Sequence, residues 1–282
     1  MFDKSPENPP IPAYLRFVTA VECCVVFTAA FLLFFLPSFS EDLWAWTIPP
    51  FNARFVGAVY FAAYIPLIIF WLNPRWTPGR LVLWMIFVFT VLVMAAMFLH
   101  ADSFAWDRPA AFLVFWPLYI FLPINSAVFL YKFRNVELKT QDDLSPAWKT
   151  VLKGFALLAG LYGIGLFFAP EALTRFWPWH VDAFHAHIYA SAFVTPAVGA
   201  WILSGRRGAA SEYLTFGLNL LTGGILPILG TLITNLSLPP ERQADFGGIG
   251  TGIFFLFFLA TGILGALQIR LAFQTSNKMG SK

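Results

Sequence analysis

Eight apolar runs constrain this chain more than any other feature: roughly residues 15–36, 53–72, 81–99, 109–131, 151–169, 185–204, 213–237 and 247–270. A hydrocarbon core about 30 Å thick is crossed by about 20 helical residues rising about 1.5 Å each. Each run meets that length, and only helices or closed barrels satisfy backbone polar groups inside lipid. The sequence therefore predicts an all-α, multi-pass membrane protein with eight transmembrane helices.

Composition agrees. The 282 residues are 59% hydrophobic and 12% charged, against about 25% charged residues in an ordinary soluble domain. The net charge of +3, from 18 basic and 15 acidic residues, is too balanced for a surface that tracks nucleic-acid phosphates. No hydrophilic stretch exceeds about 20 residues, which leaves no room for a soluble domain. The first run is longer than a signal-peptide core and lacks a following A-x-A site, so it reads as a retained helix. The two cysteines, Cys23 and Cys24, are adjacent and form no C-x-x-C motif.

The chain also carries an internal duplication. Phe34-Phe35-Leu36-Pro37 aligns with Phe167-Phe168-Ala169-Pro170 at an offset of 133. Without a gap, Trp44 and Trp46 fall on Trp177 and Trp179, Phe51 on Phe184, and Ala53 on Ala186. Four helices per repeat put both repeats in the same orientation, as parallel repeats about an axis near the membrane normal. The reading divides the chain into a disordered tail (1–14), a first four-helix repeat (15–134), a polar linker (135–150), a second repeat (151–273) and a C-terminal tail (274–282).

Lysine and arginine set the orientation. Fourteen of the 18 fall on the side that holds both termini, from Lys4 and Arg16 to Lys278 and Lys282. Arg54, Arg108, Arg175 and Arg242 fall on the other. Both termini are predicted cytoplasmic, in the cell inner membrane. Trp44, Trp46, Trp177 and Trp179 then read as anchors at the outer interface, where an indole keeps its N–H wet. Trp44, Trp46, Pro50, Ala53 and Arg54 resemble a W-P-W-x-L-T-P-x-x-A-R loop of uncharacterised bacterial polytopic membrane proteins; the resemblance carries no activity.

Few residues carry chemistry. Glu22 is the sole acid within an apolar run, about 10 Å from its inner end; an intramembrane carboxyl is a functional hypothesis by default. It reads as a coupling group or as the partner of a basic residue. Arg54 starts a helix, where the dipole disfavours a cation, and reads as a partner of Glu41 or Asp42 or of an anionic ligand. Asn125, Asn219 and Asn235 are further polar candidates at depth. The seventh run holds Gly223, Gly224, Pro227 and Gly230. These either interrupt it at a cavity or let helices pack closely. His180, Asp182 and His185 form a candidate metal cluster, since imidazole and carboxylate suit zinc. No nucleotide, protease or hydrolase motif is present, and no cofactor is specified.

Three functions stay open. The first is a non-enzymatic accessory subunit of a membrane complex, or a lipid- or pigment-binding protein, with the bilayer and other membrane subunits as partners and no nucleic acid. The second is a transporter of a small or hydrophobic solute. The third is a membrane enzyme with an outer-side metal.

Overall fold

The computed structural model describes residues 2–136, 144–205 and 208–280, with side chains described through Ser276. Lys139, Asp142 and Asp143 of the expected linker lie outside the described residues, as do Arg206, Arg207 and Lys282. Among the described residues the regular structure is helical, with only isolated bridges at Pro10–Arg75 and Trp46–Phe104.

Eight helices are long and apolar enough to cross a membrane: α1 (Ala13–Phe35), α2 (Pro50–Leu72), α3 (Trp76–Leu99), α4 (Ala110–Lys132), α5 (Pro146–Phe168), α6 (Ala183–Gly205), α7 (Ala210–Ser237) and α8 (Ile249–Gly280). At 23 residues, α1, α2, α5 and α6 each rise about 35 Å. Large apolar side chains point away from the bundle all round, with Phe17 68%, Leu161 68% and Phe168 80% exposed. Water would not tolerate such a surface; lipid does. The chain is a multi-pass integral membrane protein whose outer faces contact lipid.

The helices pack in a crossed pattern. Neighbours in sequence pair as α1 with α2, α3 with α4, α5 with α6 and α7 with α8. The halves are joined by α2 against α7 and by α6 against α3. The α7–α8 seam is closed by small residues: a Cβ built on Gly217, Gly224 or Gly265 would strike backbone atoms of the facing helix. The α3–α4 seam is filled by rings, with Phe98 on Trp116 at 5.2 Å and Phe89 on Tyr119 at 6.4 Å. The first six residues of α4, Ala110–Phe115, are wound as a π-helix, a form found often at functional sites.

The N-terminal segment differs from the expected disordered tail. Asn8 is fully buried and pairs through its amide with the backbone of Thr77, at 2.8 and 3.2 Å. Arg75 donates to the carbonyls of Ser5 and Asn8. A proline-rich segment cannot form a helix, but its carbonyls and one asparagine suffice to pin it to the α2–α3 turn.

Candidate functional site

At one end of the bundle two loops of similar construction meet. In the first, a short helix (Pro37–Leu43) is followed by extended Trp44–Pro49, and Pro50 opens α2. Proline suits that first position because its missing N–H would go unpaired there anyway. In the second, Pro170–Leu173 and a 3₁₀ turn (Thr174–Phe176) lead through Trp177 to α6.

Each loop sends a tryptophan into the other half. Trp46 donates its indole N–H to Nε2 of His185 at 3.3 Å, and Trp179 donates to Oδ1 of Asn52 at 2.7 Å. His185 in turn bonds Asp182 through Nδ1 at 2.7 Å. One ring nitrogen faces a donor and the other a carboxylate, which assigns the Nδ1–H tautomer. The rings follow the same exchange, with Phe184 against Trp46 at 5.2 Å and Phe51 stacked on Trp179 at 5.1 Å. Trp46 is 1% exposed and Trp177 is buried; Trp177 donates to the hydroxyl of Tyr162. These two are therefore core residues, not headgroup anchors: protein partners satisfy their N–H groups, which removes the penalty for burying them.

The electrostatics of the second loop centre on Asp182. Burial pushes its carboxyl up, but the His185 hydrogen bonds and the nearby ring of His180 outweigh that and hold it at about 2. His180 itself is exposed, and among the described residues no three His, Cys, Asp or Glu side chains come together as a metal site. The candidate cluster is thus a bonded pair, Asp182 and His185, with His180 close to Asp182 but outside the bonded pair. His100 bonds His187 at 2.8 Å. Burial lowers the His100 pKa; the charge of Asp182 opposes that and His185 adds to it.

Beneath the loops lies a cavity of about 780 Å³, within the range of small-molecule sites. Its wall comes mostly from the first half: Glu22, Cys24 and Ala29 of α1, Tyr60 and Ala63 of α2, Met85 and Phe89 of α3, and Phe115 and Tyr119 of α4. Phe193, Thr195, Asn219 and Phe257 close the far side. Asp42, Trp44, Asp107 and Arg108 line it at the loop end. Arg108 there donates to the carbonyls of Glu41 and Trp44. Tyr60 and Tyr119 join their hydroxyls at 2.8 Å.

Glu22 lies near the middle of α1, 5% exposed, and its Oε1 has no hydrogen-bond partner among the described residues. Trp44 Nε1 and Thr195 Oγ1 of the same lining are likewise buried and unpartnered. Such orphans are rare and ask for a ligand or water.

The other sequence candidates disperse. Asn219 lines the cavity and donates to the Ala62 carbonyl at 2.8 Å. Arg54 does not reach Glu41 or Asp42; it donates to the Phe34 carbonyl and to the Thr234 hydroxyl, bracing α1, α2 and α7. Asn235 accepts from the Ala244 N–H, and Asn125 is buried in α4 away from the cavity lining.

Sequence reasoning missed the buried pair Arg80–Glu212, bonded twice at 2.7 and 2.8 Å near the opposite end. Each residue directly precedes an apolar run and reads there as a loop charge. Comparison of the chain with protein-family models, with curated proteins and with solved structures returns no match.

Proposed function

We propose that this protein binds a hydrophobic or amphipathic small molecule inside the membrane, in the cavity between α1, α2, α3 and α4. The observation that carries the reading is the cavity itself: about 780 Å³, walled by apolar and aromatic side chains, with three of its lining residues, Glu22, Trp44 and Thr195, each holding a buried polar atom without a partner among the described residues. Binding sites commonly combine apolar walls with a few convergent polar groups. Loss of water-excluded volume alone would favour collapse of such a space, since interiors pack densely; a resident ligand removes that cost. This reading requires no bond chemistry, and in it the protein acts as a carrier or ligand-dependent subunit.

The same reading takes the chain as two parallel four-helix repeats. The exchanged bonds Trp46–His185 and Trp179–Asn52 are counterparts under the offset of 133, which carries Trp46 onto Trp179 and Asn52 onto His185, and the crossed packing of α2 on α7 and α6 on α3 supports the reading. Both termini belong on the cytoplasmic side of a bacterial inner membrane, supported by the lysine and arginine count. A transporter is the second reading, favoured by a cavity that meets polar loop residues at one end and a lone carboxyl at depth.

Extraction of the protein in mild detergent, followed by mass spectrometry of retained small molecules, tests the reading. A stoichiometric apolar compound is expected, lost in Ala63→Phe, whose ring would occupy the cavity. A protein free of any such compound, with no change on Ala63→Phe, overturns it.

A further inference from the structure

We infer that the molecule taken by the cavity is a lipophilic organic cation, an ammonium or phosphonium carried on aromatic or alkyl groups, with its positive centre paired to Glu22. This rests on the ligand-binding reading above and adds a charge to it.

The ionisable groups of the cavity lining are unbalanced. Three carboxyls line it, Glu22, Asp42 and Asp107, against one guanidinium, Arg108. Arg108 sits at the loop end and is engaged with two backbone carbonyls. At depth Glu22 therefore faces no cation of the protein among the lining residues. A bare carboxylate in a medium of low dielectric is costly, and it is relieved by a proton or by a paired positive charge. Placed in an apolar wall, that requirement selects a ligand that carries its own charge.

The rings supply the rest of the recognition. Trp44, Tyr60, Phe89, Tyr119 and Phe193 line the same space. Aromatic faces attract cations, most strongly where both are withdrawn from water. They also accommodate the apolar bulk that a hydrated inorganic ion lacks. Asp42 and Asp107 add negative charge to the loop end of the same lining, which favours cations there. A neutral ligand would use the rings but leave Glu22, Asp42 and Asp107 without a role.

Entry of the cation exchanges for a proton. The O–H bond of the Glu22 carboxylic acid breaks, the proton leaves to water, and the carboxylate pairs with the cation; no electrons are transferred. The titratable groups that line the space are Glu22 and Cys24 on α1, Tyr60 on α2, Tyr119 on α4, and Asp42, Asp107 and Arg108 at the loop end, with Cys23 beside Glu22. Helices α3, α5, α6, α7 and α8 contribute none to the lining.

Saturable binding of tetraphenylphosphonium to the full-length protein in lipid nanodiscs tests this. Triphenylphosphine oxide serves as the neutral competitor. Tighter binding at pH 8 than at pH 6 is expected, with release of a proton and no displacement by the oxide. Glu22→Gln should weaken binding by at least about tenfold, equal to 1.4 kcal/mol, and abolish the pH dependence. Glu22→Asp, which keeps the charge, should retain the pH dependence and so separates loss of charge from loss of fold. Equal affinity in Glu22→Gln, or displacement by the oxide, overturns the cation while leaving a ligand cavity. No saturable binding of either probe, with no effect of Ala63→Phe on retained compounds, overturns both.

Discussion

The helix pairs α3–α4 and α7–α8 hold corresponding places in the packing, yet they are closed by opposite means. Glycines bring α7 and α8 into backbone contact at Gly217, Gly224 and Gly265. Rings keep α3 and α4 apart, at Phe98–Trp116 and Phe89–Tyr119. Small residues let helices pack without a hydrophobic driving force between them. Bulky rings cannot fill all the space they create, and here that space opens into the cavity. One pair of helices is closed by backbone contact, and the other borders open space.

The largest break comes from cutting the link between the two third helices. Arg80→Ala leaves Glu212 buried without this partner and should cost about 3–5 kcal/mol, read as a fall in thermal unfolding temperature in detergent. Arg80→Met with Glu212→Leu should recover most of the loss. An unchanged Tm in the single variant would show that the pair does not join the halves.

Next, Gly224→Ala drives a methyl into the backbone of Gly262 and should cost about 3 kcal/mol. Gly252→Ala, with nothing within 4 Å of the added atom, should leave stability unchanged. Equal effects at the two sites would dissolve the contrast between a closed seam and open helix surface.

A smaller effect separates the two tryptophan loops. Trp46→Phe removes the donor to His185 and should cost about 1–2 kcal/mol. Acid should weaken the same contact, through the Asp182 that holds His185, and spare the contact of Trp179 with Asn52. Asp182 is held at about 2, below its ordinary 3.8, so the folded state gives up this proton more readily than the unfolded chain does. Its contribution is fully present above about pH 4 and is lost as pH falls toward 2. Half-exposed as it is, the contribution is modest. Acid unfolding that is unaltered in Asp182→Asn would contradict this assignment.

The smallest expected change in stability is the most informative for function. Ala63→Phe should leave Tm near the wild-type value, because its ring enters space already present, while ligand retention is lost.

Much of the fold was legible because its signal is local. Membrane spans are written as apolar runs of fixed length, and the observed helices overlap all eight. The tryptophan loops were legible as a duplicated pattern of Pro and Trp. The fate of Trp46 was not: an indole suits both an interface and a core, and only His185, 139 residues away, decides between them. Arg80 and Glu212 were missed for a related reason, since each lies at the edge of its run and the pairing spans 132 residues. Glu22 stood out at once, being an acid in an apolar run. That it faces a cavity depends on helix spacing, which no local pattern encodes.

The most direct test of a closed helix pair and an open one is an electron cryomicroscopy structure in nanodiscs of native lipid. Discrete ligand density is expected beside Glu22, between Tyr60, Tyr119 and Phe193, with the α7–α8 seam in contact. Closure of α1 onto α4 with no space between them, and no density there, would contradict it.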